Sequence, residues 1–260
     1  MIQLTSTKKF NPLRRESDGS YSVFSKKHFK GKIDVSEYAR ECIDQSYQLT
    51  WGSGYMKPNG RDKSTRFKDS LKGKLGEFAL YKHLLNLGHE VKYPDLTVRG
   101  KGKWDNGDIF VEGKDQNGDI ETKKLSVKTA YYFSDLLLLR KDEWDNKGGY
   151  LYTEDKIPDY SYKAFFFCRM RPNLDDVLSI EGDSDPGIEN LFGSLQDIRF
   201  TMEISGYINI EDFKKIIRDG LFFREGDYIG KKKWEDSFYY CQSGDLREID
   251  DIKRKKKELK

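Results

Sequence analysis

The sequence predicts an α/β chain of the mixed α+β kind, with a mixed central sheet flanked by helices and a helical N-terminal addition. Three observations predict it. Two stretches, near 36–49 and 64–87, repeat apolar residues at helical spacing. From about residue 89 the pattern changes to short alternating runs, two of them separated by an Asn-Gly turn signal. Further on, residues 164–169 (AFFFCR) are almost continuously apolar, as in a strand covered on both faces.

Residues 1–32 read as polar, basic and loop-rich, with Phe10, Tyr21, Phe24 and Phe29 interleaved. Asp34 or Ser36 is placed to cap a helix that runs to about Leu49. A Gly-rich connection (WGSGYMKPNG) follows, then a helix from Ser64 to Leu87, closed by Gly88. Strands are expected at 89–93, 107–112 and 120–130, the last two forming a hairpin around Asn117-Gly118. Beyond the buried run at 164–169, 198–206 alternates as a strand and 210–218 is a short helix. Residues 238–241 form a strand, and a helix is expected from Leu246 onward, where Leu246, Ile249 and Ile252 recur.

The 260 residues hold 47 Lys and Arg against 44 Asp and Glu, a net charge of only +3. Charged residues are 35% of the chain and aromatics 14%, which supply bulky core side chains despite the polarity. Nothing approaches the ~18 apolar residues of a membrane span, and the first ten residues lack a secretory h-region. Cys42, Cys168 and Cys241 lie far apart, and His83 and His89 make no metal motif. Buried thiols in a reducing cytoplasm are the expected reading. The near-neutral charge is unevenly spread. Residues 1–33 carry eight bases and two acids, and 56–75 carry seven bases and two acids. Residues 172–219 carry eleven acids and four bases. Basic segments beside an acidic block suit a polyphosphate-binding face, or else solvate a chain of low apolar content. The run Lys253–Lys257 reads as a solvated tail.

Three segments bear chemistry. In GKLGEFA, Glu77 sits at helical spacing from Leu80, Tyr81 and Leu84, an apolar setting that demands a cation or donor. A boundary residue bonded to a nearby lysine such as Lys74 is the plainer reading. Gly73 and Gly76 each weaken that helix by about 1 kcal/mol relative to Ala, which suggests close packing there. In DNGDIFV, Asp108 opens a strand. In KLSVKTA, alternation places Ser126 and Lys128 on one face, Leu125 and Val127 on the other. The hairpin brings Asp108 toward Lys128, on the edge expected to face the Glu77 helix. Carboxylates converging beside an ammonium suit a Mg²⁺ site able to polarise a phosphodiester; the structural alternative is an Asp–Lys cross-strand pair.

This ordered set resembles the PD-(D/E)xK nuclease superfamily, the restriction-endonuclease-like fold, over roughly residues 71–170. The resemblance implies Asp108 as the motif Asp, Lys128 as the motif Lys and Glu77 as the helical acid, with the Val127 carbonyl also facing the metal. It further implies a helix and then a buried strand after the hairpin. Where the family usually has Asp or Glu, this chain has Ser126. Some restriction endonucleases resembling this pattern carry Ser there and take the missing acid from a later helix. Asp135, Asp142 and Glu143 are the candidates here, and Glu121 falls on the opposite face.

On that reading the chain divides into a basic N-terminal region at 1–63, a nuclease core at 64–215 and a C-terminal elaboration at 216–260. The stretch from Glu203 to Asp212 is similar to a strand–helix segment that follows the core in several nuclease-like proteins. Lys57, Arg61, Lys63, Arg66, Arg99, Lys101 and Lys103 are the candidate phosphate contacts. The resemblance implies a cytoplasmic Mg²⁺-dependent endonuclease acting on double-stranded DNA, most plausibly a homodimeric type II restriction enzyme. A junction-resolving or phage/repair nuclease, and a decayed DNA-binding protein, are the alternatives.

Overall fold

The computed structural model describes residues 8–54, 60–100, 107–114, 120–153, 157–249 and 252. Short strands β1 (Arg14–Arg15), β2 (Tyr21–Ser22) and β3 (Ile33–Asp34) precede helix α1 (Ala39–Thr50). A single 3-10 turn, Ser36–Tyr38, leads into α1. Helix α2 (Lys63–Asn86) starts on an Asp62 side chain that accepts from Thr65 N and ends before Gly88 at φ +78°. Strands β4 (Glu90–Val91), β5 (Ile109–Lys114), β6 (Ile120–Tyr131), β7 (Leu136–Arg140) and β8 (Tyr162–Arg171) follow. Then come α3 (Ile188–Leu195), β9 (Thr201–Asn209) and α4 (Ile210–Arg218). The chain closes through β10 (Phe222–Phe223), β11 (Tyr228–Ile229), β12 (Lys232–Lys233) and β13 (Phe238–Gln242). The fold is mixed α+β. No helix among the described residues is long and apolar enough to cross a membrane.

The central sheet has six strands in the order β3-β9-β8-β6-β5-β4. β5 and β6 are antiparallel, with Ile109 opposite Leu125 and Lys114 opposite Ile120. That register is the expected hairpin, although its Asn117-Gly118 turn lies outside the described residues. β6 and β8 are parallel, with Ser126 beside Phe165 and Lys128 beside Phe167. Alternation along β8 feeds two cores. Ala164, Phe166, Cys168 and Met170 join Leu125, Val127 and the α2 residues Phe67, Leu71, Leu75 and Phe78 on one face. Phe165 and Phe167 join Leu137, Trp144, Phe213 and Tyr240 on the other. A second sheet, β10-β13-β7, covers that other face. All three cysteines are free and buried, and burial raises each thiol's pKa.

Two expectations are corrected. The parallel β6-to-β8 connection was expected to hold a helix. Among its described residues it holds β7 and a 3-10 turn at Lys141–Glu143 instead. Leu136 to Leu139 is continuously apolar because β7 pairs with β13 over a core. The helix expected from Leu246 is not formed through residue 249. Arg247 instead makes an antiparallel bridge with Tyr207, its guanidinium bonded to the buried Asp212 carboxylate at 2.5 and 2.9 Å. The lysine tail lies outside the described residues. The blocks at 1–63, 64–215 and 216–260 also interleave. β3 pairs with β9, β2 pairs with β11, and Gln242 and Asp245 bond the backbone or side chains of Asn11, Phe24 and Ser25. Phe10, Leu13, Tyr21 and Val23 thus lie against the second core, whereas β3 joins the central sheet and α1 packs in the first core.

Candidate active site

Asp108 stands one residue before β5, where the β5–β6 ladder ends. Its Oδ2 accepts from Ser126 Oγ at 3.0 Å and from Val127 N at 2.6 Å. Two donors therefore fix the carboxylate against the edge of β6. The N–H and C=O of one strand residue point to the same side, so the Val127 carbonyl is directed toward Asp108, away from β8. Gly107, at φ +133°, makes this entry possible. A Cβ there would overlap Lys124 Cε and demand a conformation that L side chains rarely adopt. The β6–β8 register shifts between Lys124 and Leu125, immediately before Ser126, a place where bulges re-aim side chains.

Ser126 and Lys128 share the face of β6 that carries Ala130 toward the second core. Onto this face packs Trp144, 4% exposed, with its ring 5.1 Å from Phe165 and 5.2 Å from Phe213. The residue before it is Glu143, the last of the 3-10 turn. Trp144 thereby anchors Glu143 beside the strand pair that holds Ser126 and Lys128. Burial raises the Glu143 carboxyl above the usual carboxylate range. The Lys128 and Arg140 cations oppose that rise, while Asp142 and Asp108 add to it. Lys128 and Asp108 are thus both within electrostatic reach of Glu143.

The other candidate acids are engaged elsewhere. Asp135 pairs with Arg169 at 3.3 Å and Lys26 at 3.6 Å. Asp142 accepts two bonds from Arg140, at 3.0 and 2.9 Å. Glu121 stands 3.5 Å from Lys123. Glu143, by contrast, feels the charges of both Lys128 and Asp108. Sequence reasoning could name it only as one of three, because its link to Lys128 runs through a second sheet.

Glu77 lies on α2, whose partner face on β6 is the one opposite Lys128. α2 packs against the opposite face of β6, where a Cβ on Gly76 would overlap Thr129 Oγ1. Glu77 is 7% exposed and bonds Lys74 Nζ at 2.7 Å, and Lys74 also donates to the Asp95 carbonyl at 3.0 Å. This is the lysine-bonded boundary residue that the sequence also allowed. Gly76 makes the expected close approach, whereas Gly73 faces no atom within 4 Å.

The basic candidates divide. Lys57, Lys101 and Lys103 lie outside the described residues. Arg61 pairs with Asp69 at 2.6 Å and Arg99 with Asp95 at 2.5 Å, which neutralises both locally. Arg99 also helps hold Asp95 at a pKa of about 2, against the opposing effect of burial. Lys63 and Arg66 lie in the first turn of α2, half-buried, with Lys63 N bonded to Asp183.

Among the described residues, no group of three or more His, Cys, Asp or Glu is arranged to hold a metal ion. Mg²⁺ does not require such a cage. It keeps several waters and is held by one or two carboxylates together with substrate phosphate. Asp108 has Oδ1 outside its two bonds, the Val127 carbonyl points the same way, and Glu143 is a desolvated acid that gains from a cation. The donor set is hard oxygen throughout, which fits Mg²⁺. Comparison with protein-family models, curated proteins and solved structures gives no match.

Proposed function

We propose that the chain is a Mg²⁺-dependent DNA endonuclease that hydrolyses phosphodiester bonds in double-stranded DNA, most plausibly as a restriction enzyme. The observation that supports this best is the Asp108 carboxylate fixed by Ser126 and Val127 on β6, with Lys128 on the Ser126 face of that strand and Glu143 within electrostatic reach of both charges. Asp108, the Val127 carbonyl and Glu143 would hold the metal. When bound, Mg²⁺ supplies Lewis-acid polarisation of the phosphodiester and a more acidic water.

The chain's own residues do the rest. Ser126 Oγ–H and Val127 N–H fix the Asp108 carboxylate, so that it presents one oxygen outward. Lys128 is a cation with no carboxylate within ion-pair distance among the described residues. Its ammonium is available to orient the attacking water and to offset charge on the phosphoryl oxygens. Glu143, whose pKa burial raises, is suited to exchange a proton, and a bound cation would favour its ionised form. Cutting both strands calls for a second copy, and a homodimer is part of the proposal.

The test is cleavage of long duplex DNA with Mg²⁺ by the wild type and by Lys128→Ala. Discrete fragments from the wild type and a loss of about 10²–10⁴-fold in the variant are expected. Undiminished cutting by Lys128→Ala would overturn the assignment. Preference for branched DNA would move the reading to a junction-resolving nuclease.

A further inference from the structure

The turn that joins β6 to β7 carries a cluster of rings. Tyr132 and Phe133 have centroids 5.3 Å apart, and Phe29 from the N-terminal segment stands 6.0 Å from Tyr132. Phe133 is 62% exposed, and no apolar core accounts for it. The turn is a fixed mount, because Tyr132 N donates to Met170 O and Ser134 N to Tyr131 O, each at 2.9 Å.

Cations border this cluster on one side. Arg171 lies over the Tyr132 ring at 4.1 Å and over the Phe29 ring at 5.4 Å. It is exposed, and no carboxylate stands within ion-pair distance of it among the described residues. Lys30 and Lys32, both exposed, follow Phe29 on the segment into β3 and also lack such a partner there. The opposite side is closed to an anion. Beside Tyr131, Lys72 is paired with Asp69 and Lys68 with Asp175, each at 2.7 Å. Burial, Asp175, Asp69 and Asp176 all raise the Tyr131 hydroxyl pKa. The rings thus have an open, cationic flank and a neutralised one.

We infer that Phe133, Tyr132 and Phe29 form a stacking platform for an unpaired stretch of DNA, with Arg171, Lys30 and Lys32 along its phosphates. Bases stack on exposed aromatic faces whatever their identity, and adjoining cations follow the backbone. The flank of Arg171 sets the path, from Phe133 toward Phe29. Phe133 is five residues past Lys128, so at ~3.3 Å per residue it stands within about 17 Å of it. That distance is about five phosphate steps of duplex. The choice of DNA rests on the nuclease reading, and the inference narrows that reading to a substrate with an unpaired segment near the cut.

The test is anisotropy with a labelled duplex bearing an unpaired tail and with the same duplex blunt, in EDTA, so that no cleavage is required. The wild type is expected to prefer the tailed DNA by roughly tenfold, Phe133→Ala to lose that preference, and Phe133→Trp to retain it. Arg171→Ala should weaken tail binding and lower the salt slope by about 0.7. Phe133 is exposed and turn-borne, so its replacement leaves the core intact. Equal tailed and blunt binding by the wild type, or an unchanged preference in Phe133→Ala, overturns the platform, while Lys128-dependent cleavage separately decides the nuclease reading. Tighter binding of an RNA tail than a DNA tail overturns the choice of DNA.

Discussion

Replacing Gly76 with Ala probes the packing that sets β6 in place. The added Cβ would overlap Thr129 Oγ1 and come within 3.1 and 3.2 Å of Thr129 Cβ and Cγ2. Neither element can retreat. α2 is locked by Leu75, Phe78, Ala79 and Leu80, all fully buried, and β6 is paired on both sides. Overpacking costs up to about 3 kcal/mol. The gain in helix propensity returns about 1 kcal/mol. The net is about 2 kcal/mol of destabilisation, or a fall of about 4–8 °C in Tm for a chain near this size. Thr129 Oγ1 is buried without a hydrogen-bond partner among the described residues, so Thr129→Ala alone costs little. In the double variant the overlap with Oγ1 disappears while the 3.1 Å approach to Cβ remains, so a double-mutant cycle by urea denaturation should show a favourable coupling of about 1 kcal/mol. Thr129→Val places carbon where Oγ1 was and should give no rescue. Wild-type stability in Gly76→Ala, or rescue by Val, would refute the argument.

Four further outcomes are expected. Asp108→Asn, which keeps the shape and removes the charge, should abolish Mg²⁺-dependent cleavage in a plasmid assay while changing Tm little. Glu143→Gln should also abolish cleavage, and its stability should grow relative to wild type with rising pH. The sign follows from the raised pKa: the folded state keeps this proton longer than the unfolded chain, so wild-type stability falls between ~4.3 and the raised value and is level above it. Thermal melts across that range would check it. The wild-type cleavage rate should decline as pH falls, with a midpoint below that metal-free raised value, because bound Mg²⁺ would favour ionised Glu143. Arg169→Ala leaves Glu203 buried without its guanidinium, bonded at 2.6 and 3.2 Å, and should cost about 3–5 kcal/mol in chemical denaturation.

How far the fold could be read from sequence depended on how local each cause is. α2 was legible because its cap, periodicity and terminal glycine lie within one segment. The β5–β6 hairpin was legible because alternation and Asn117-Gly118 act together. α4 was legible through a reciprocal cap, in which Asn209 and Asp212 exchange bonds at 2.8 and 3.1 Å. β7 was not, since four consecutive leucines suit a strand or a buried helix equally until β13 arrives to pair with them. The helix expected after Leu246 failed for a distant reason: Arg247 is held by Tyr207 and Asp212, which local periodicity does not reveal. The same distinction governs the site. Asp108, Ser126 and Lys128 sit on one hairpin, and their order was visible. Proposing Glu143 among three acids, and in place of Glu77, required knowing which face of β6 each neighbour covers.

The second sheet has a temporal consequence for the catalytic proposal. In that proposal Glu143, just past β7, is set near the Lys128 face of β6 with β7 paired to β13, at Phe238–Gln242. During synthesis, Asp108 and Lys128 leave the ribosome more than a hundred residues before that partner strand exists. A nascent or truncated chain ending before Phe238 would have its hairpin formed and its third acid unplaced. An enzyme that cuts DNA would then stay disarmed until β13 has been made.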